Sequence, residues 1–394
     1  MILKEKTREA GVKWCFCAIN RIAIESRVAG AAVALIALAA CSSGASKPKP
    51  PELAPNAALI STRQAWTAQV GNTGFPMQPG VVGDTVVLAS VDGSVAALDA
   101  RTGRDIWRAN LGAPIAAGVG TDGKLAAVVT RANELVTLDA GREIWRQKLG
   151  AQAFSAPFVA GGRVFVLTAD RAVTAFDGQG GRKLWTQQRP GEPLVLRQAG
   201  VMLAVGDTLV VGLSGRLVGL NPSNGSIRWE APIASPRGTN DIERLVDLTG
   251  RVSRIGDVVC ARAFQSAVGC VNAARGAVLW TRTANGAEGV HGDDSTVYGA
   301  ESDGKVIAWR RSDGERLWQS DRLQYRSLSA PLAVGRSVVV ADESGLVHFL
   351  SRTDGSPLTR LSTDSSGVSI GPVLAGDTLV VVTRNGGVYG FRPE

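Results

Sequence analysis

Between Gly83 and Trp107 the chain reads GDTVVLASVDGSVAALDARTGRDIW, with apolar residues in short runs separated by small polar pairs. Val86 to Ser90 has the length and composition of a strand, Asp92-Gly93 that of a tight turn, and Val95 to Leu98 that of the returning strand. Glycine in such a turn supplies the positive φ that a two-residue hairpin needs. Asp99 to Gly103 makes a second turn, and Ile106-Trp107 opens an outer strand. The same plan recurs at Ala175-Phe176-Asp177 to Gly181 and Trp185, at Leu220-Asn221 to Gly225 and Trp229, at Val271-Asn272 to Gly276 and Trp280, and at Ser312-Asp313-Gly314 to Trp318. Tryptophan closes each copy. Trp66, Trp107, Trp145, Trp185, Trp229, Trp280 and Trp318 are spaced by 41, 38, 40, 44, 51 and 38 residues, and 41 residues further on the slot holds Thr359.

A period near forty residues marks one small unit copied many times, and short strands with tight turns make that unit a β-sheet. Eight slots predict an all-β fold over residues 61–394: an eight-bladed β-propeller with four antiparallel strands per blade. The region begins with the Trp66 strand (Gln64 to Val70), which has no sheet of its own, and ends with strands at 378–383 and 387–391, which lack an outer partner. Joining them closes the ring and removes two open edges. The pattern Ala-x-Asp-x-x-x-Gly-x-x-x-Trp resembles the tryptophan-docking motif of the quinoprotein-like β-propeller superfamily. A buried indole covers much of the gap between neighbouring blades and donates one hydrogen bond into a turn. The seven tryptophans are therefore expected to be core. At Thr359 the blade should dock less tightly, or a neighbour should fill the gap.

Ahead of the repeats, residues 28–40 (VAGAAVALIALAA) form an apolar stretch of 13 behind Arg21 and Arg27. A spanning helix needs about 20 residues, so this stretch suits the apolar part of a signal peptide. Its end, Leu38-Ala39-Ala40-Cys41, resembles the bacterial lipobox. That resemblance implies a signal peptide over residues 1–40 and acylation of Cys41. With Ser42 where a retention aspartate would stand, it also implies an anchor in the outer membrane of a Gram-negative cell, facing the periplasm. Residues 1–20 carry Glu5, Glu9, Cys15 and Cys17 and read as an over-long start. Residues 41–60 continue from the cysteine as a Ser-, Pro- and Ala-rich tether.

From each docking slot to the residue aligned with Asp84 the chain takes 15 to 18 residues, except after Trp185, where it takes 22, and after Trp229, where it takes 28. Equivalent connections of successive blades emerge side by side on one face, and insertions on one face are where repeat proteins bind. The first long loop contains Pro190-Gly191-Glu192-Pro193-Leu194-Val195-Leu196-Arg197, the second Asp241-Ile242-Glu243-Arg244-Leu245-Val246-Asp247-Leu248. Apolar anchors beside arginine have the composition of an interface hot spot. The plainer alternative is that both loops only pack over the propeller. Taken together, the lipobox, the propeller, the Leu-x-Leu-Arg segment and the Ile-acid-Arg-Leu-x-Asp segment resemble the BamB family, propeller lipoproteins of the outer-membrane β-barrel assembly machinery. The resemblance implies a scaffold that binds the periplasmic POTRA domains of BamA alongside other subunits. By matching position, the docking residues are Leu194, Leu196, Arg197, Arg244 and Asp247. The family can carry a second acid two places after the matched aspartate, where this chain has Thr249. Exposed blade edges suggest a further use, holding an extended strand of a nascent outer-membrane protein by backbone hydrogen bonds.

Charge adds little. The net charge is +8, and residues 1–40 hold six Lys/Arg against three Asp/Glu, so the remainder is only mildly basic. No long basic block interleaved with aromatics is present, which argues against nucleic-acid binding. His291 and His348 are the only histidines and lie in different repeats. Neither has the spacing of a metal site, so no metal and no cofactor are expected. The rival of the same fold is a pyrroloquinoline-quinone alcohol dehydrogenase, whose site resembles a quinone stacked on adjacent disulfide-bonded cysteines. This chain has no adjacent cysteine pair. A periplasmic ligand-binding propeller is the other alternative. Cys260 and Cys270 flank one hairpin turn, where a disulfide and two buried thiols both remain open. A two-residue turn would offset them by one place and point them to opposite faces, and a bulge or a three-residue turn would restore the pairing.

Overall fold

Short Val-, Leu- and Ala-rich runs joined by Gly-, Asp- and Asn-bearing turns pair with their immediate neighbours in sequence, and the sheets show that order. The computed structural model describes residues 48–73, 77–189, 194–198, 200–368 and 370–394. The expected signal peptide and Cys41 lie outside the described residues. Residues 50–394 cluster as one unit. Among the described residues, thirty-two strands form eight four-stranded antiparallel sheets, with no α-helix. Blade 1 covers 80–110, blade 2 115–148, blade 3 158–188, blade 4 202–232, blade 5 248–283, blade 6 290–320 and blade 7 332–362. Blade 8 joins the two ends of the propeller: three strands over 373–393 are completed by Thr62–Gln69, which pairs antiparallel with Gly387–Pro393. The ring therefore closes as the sequence predicts. The third and fourth strands of every blade slip register at one place, so that a single residue just before the tryptophan slot bulges out. Ile106, Leu279 and Leu317 are such residues, which accounts for their exposure.

The core lies within and between the sheets, and the tryptophans seal it. A positive-φ glycine in the next blade's outer turn sits against each indole. Gly103 meets Trp66, Gly141 Trp107, Gly181 Trp145, Gly225 Trp185, Gly276 Trp229, Gly314 Trp280 and Gly355 Trp318. A Cβ at Gly103 would come within 2.5 Å of the Trp66 ring, so side-chain size and backbone conformation both demand glycine there. Trp66 and Trp145 each donate their indole N–H to a turn carbonyl of the following blade at 2.8 Å.

Thr359 has a different neighbourhood. Residues across from a tryptophan are small, as with Ala97, Ala175, Gly219, Ala308 and Gly390, but Thr359 lies across from Phe349. The phenyl ring is buried in the apolar cluster that Leu332, Leu379 and Phe391 form between blades 7 and 8. Part of the stretch read as a tether also reaches this blade. The Leu59 N–H donates to Leu358 O at 2.7 Å, Asn56 Nδ2 donates to Arg360 O at 3.1 Å, and Arg360 Nη1 donates to Ala54 O at 3.3 Å. Leu53 and Ile60 pack on the apolar clusters of blades 6 to 8. Residues 51–60 thus form a strap along the outer edge of blade 7.

In blade 5, Cys260 and Cys270 pair directly across neighbouring strands with a Cα–Cα distance of 4.0 Å and are joined by a disulfide. A three-residue turn, Phe264-Gln265-Ser266, connects Ala263 to its partner Ala267, and Gln265 takes φ +45° to make it.

Candidate docking face

The two long loops connect blade 3 to blade 4 and blade 4 to blade 5, so they leave the same face side by side. Of the first, residues 190–193 and 199 lie outside the described residues. Its Leu194 is 40% exposed, and Arg197 is exposed. Leu196 points the other way, into a cavity of about 50 Å³ shared with Leu167, Leu213 and Leu248. In the second loop Asn240 caps a turn by accepting the Glu243 N–H at 2.9 Å, and the Glu243 carboxylate accepts the Thr239 N–H at 2.9 Å. The Thr239 N–H, with further hydrogen bonds from Asn240, holds the Glu243 carboxyl below its ordinary pKa. The turn pushes Ile242 outward to 76% exposure, with exposed Arg244 two residues on.

Asp247 joins the loops. Its side chain is only 17% exposed, and Oδ1 accepts from Arg171 Nη1 at 3.1 Å while Oδ2 accepts the Leu196 N–H at 2.9 Å. Arg171 Nη2 donates to Leu194 O at 3.1 Å. One guanidinium and one carboxylate therefore tie blade 3, the first loop and the second loop together. Leu194, Arg197 and Arg244 are on the surface of this arrangement; Leu196 and Asp247 are within it. Thr249, two places on, is buried.

Arg171 was not among the expected residues. It sits in the turn between the second and third strands of blade 3 with φ +63°, where other blades carry Gly93, Asn133, Gly304, Gly345 or Gly386, also with positive φ. A long side chain in a position that favours glycine was a readable signal of a special role. Ile242, in the same segment as Arg244 and Asp247, is a further exposed apolar residue of this face that the matched positions do not include.

The first loop also reaches the ring centre. Gln198 Nε2 donates to Ala287 O at 3.1 Å and to Glu288 Oε1 at 3.2 Å, beside a cavity of about 260 Å³ that Arg251 and Ile370 also line. Burial pushes the Glu288 carboxyl up to about 6, against the pull of Arg262 and Arg251. Among the described residues no group of three His, Cys, Asp or Glu is placed to hold a metal ion.

The family model described as outer membrane protein assembly factor BamB matches residues 91–320. A curated relative from Burkholderia pseudomallei with the same description is 40% identical over 368 residues, covering 92% of this chain and 97% of the relative. The chain belongs to the BamB family. Its fold is shared with the crystal structure of BamB from Moraxella catarrhalis, with a TM-score of 0.77 at 22% identity, over 84% of this chain and 99% of that one. Distant members of the fold include the quinohemoprotein alcohol dehydrogenase from Comamonas testosteroni, with a TM-score of 0.65 at 16% identity, over 87% of this chain and 79% of that one. The BamB family thus joins a propeller scaffold to a protein described as an assembly factor, while the dehydrogenase likeness is one of fold.

Proposed function

We propose that the protein is a non-enzymatic assembly factor, anchored through Cys41 at the periplasmic face of the outer membrane, that docks on the POTRA domains of BamA and aids insertion of β-barrel proteins. Membership of the BamB family supports the general role. The observation that carries the docking mode is the pair of adjacent loops, locked together by Asp247, that present Leu194, Arg197 and Arg244 on one face. Leu194 supplies an exposed apolar anchor, and the two arginines supply forked donors for carboxylates and backbone carbonyls of a partner. Leu196 contributes by filling the space beneath the loop, and Asp247 by holding it. Replacing Leu194 with Asp removes the anchor from an exposed position and leaves the core intact. Recovery of BamA by co-purification with Leu194→Asp should fall at least about tenfold, the effect of a hot-spot residue, with an unchanged far-UV circular dichroism spectrum. Undiminished recovery would remove this face from consideration.

A further inference from the structure

Five indoles use one structural position as acceptor. Trp66 donates to Ala100 O at 2.8 Å, Trp145 to Gly178 O at 2.8 Å, Trp185 to Pro222 O at 2.9 Å, Trp280 to Arg311 O at 2.7 Å and Trp318 to Arg352 O at 2.9 Å. In each case the acceptor lies three residues beyond the residue that faces the next blade's own slot. Blade 8 has that position too. Gly390 faces Trp66, so the equivalent carbonyl is that of Pro393. Blade 7 offers it no indole, because its slot holds Thr359. Blade 8 in turn lacks the glycine turn, because Gly387–Pro393 and Thr62–Gln69 come from distant parts of the sequence. Phe349, opposite Thr359, borders the open space on both sides of this slot. The seam between blades 7 and 8 carries a groove of about 750 Å³ lined by Ile60, Val334, Phe349, Leu374, Phe391 and Pro393, while Thr359 itself faces a smaller cavity of about 70 Å³ beneath the strap. The rim of the groove is open: Leu374 is 39% and Leu59 is 64% exposed.

We infer that this seam between blades 7 and 8 binds a tryptophan side chain of a partner protein, its indole N–H donating to the Pro393 carbonyl as the internal tryptophans do to theirs. The lining is apolar where the ring would lie. A carbonyl oxygen has two lone pairs, so Pro393 can accept an indole even while paired in its sheet. An aromatic side chain buries about 150–250 Å², so a groove of this size takes one ring and the backbone that presents it. Arg336, Asp377, Arg392 and Glu394 at the rim carry both signs of charge and suit polar backbone groups rather than a charged ligand. The site is far in sequence from the docking loops, and its test does not depend on them.

The test is a titration of N-acetyl-tryptophanamide into the full chain, followed by methyl resonances of Ile60, Val334 and Leu374. Saturable shifts confined to these groups are expected. N-acetyl-leucinamide should bind about fivefold more weakly, the worth of one net hydrogen bond. Leu374→Glu should abolish the shifts while leaving far-UV circular dichroism unchanged. A second variant, Thr359→Trp combined with Phe349→Ala, restores the internal pattern and should also abolish them. Equal binding of the two amides, shifts elsewhere, or retained binding in Leu374→Glu would overturn the inference. So would concentration-dependent shifts without probe, which would make a second copy of this chain the occupant.

Discussion

Arg171 holds a conformation that costs a residue with a Cβ about 1 kcal/mol or more. It persists because the guanidinium satisfies both Asp247 and the Leu194 carbonyl in a nearly closed space. Removing one member of a buried ion pair typically costs about 3–5 kcal/mol, because the other is left uncompensated. Arg171→Ala is therefore expected to lower stability by about 3 kcal/mol in urea unfolding and to speed tryptic cleavage at Arg197. An unchanged cleavage rate would show that the loop does not rely on this pair. Sequence matching pointed to Asp247 but could not distinguish a residue that touches a partner from one that fixes the loop, because both produce the same spacing. His291 makes the second prediction at this scale. Its Nδ1 accepts the Ala333 N–H at 3.0 Å, and burial, then Arg251 and Arg311, lower its pKa to about 4. Between about 4 and its unfolded value near 6.5 the unfolded chain binds more protons, so this contribution to stability is lost as pH falls through that window, at up to about 1.4 kcal/mol per pH unit. Glu288, raised to about 6, works in the opposite sense between about 6 and 4.5. Chemical unfolding across pH 4–7 should show a shallower fall for His291→Asn than for the natural protein, and matching curves would refute the assignment.

Strands and turns were more legible than single residues, because alternation and glycine placement report directly on backbone geometry. The hairpin that carries Cys260 and Cys270 was the exception. Its two cysteines are in register only because Gln265 adopts a left-handed conformation in a three-residue turn, and nothing in the letters Phe-Gln-Ser requires that. The bridge closes a separation of 10 residues. A loop of that size constrains the unfolded chain by about 3 kcal/mol. The double variant Cys260→Ala/Cys270→Ala should lose stability of that order by calorimetry, with blade 5 affected first in hydrogen exchange, and a wild-type transition would mean the strands alone suffice. The repeated bulge before each tryptophan slot was also hidden, since one extra residue leaves the spacing nearly intact. It interrupts the outer edge of every blade, which disfavours uniform strand addition along those edges.

At the level of the whole molecule, the tryptophan period gave the blade number and the closing partners, since both depend only on counting. The role of residues 51–60 did not follow from their composition. Proline, alanine and lone leucines read as a linker until Arg326, Arg336 and Arg360 are seen to hold carbonyls of Pro51, Leu59 and Ala54. Those arginines come from blade 7 and the connection before it, and no local pattern links them to the strap. Closure itself has a temporal side. Ser61 hydrogen-bonds Glu394 across a separation of 333 residues. The Thr62 strand therefore keeps its hydrogen-bonding edge unpaired until the last strand of the chain is in place. Every blade but the eighth can form from neighbours already made. The final one requires the two most distant segments of the fold to meet, which makes it the slowest contact to establish and the edge most in need of protection until the ring closes.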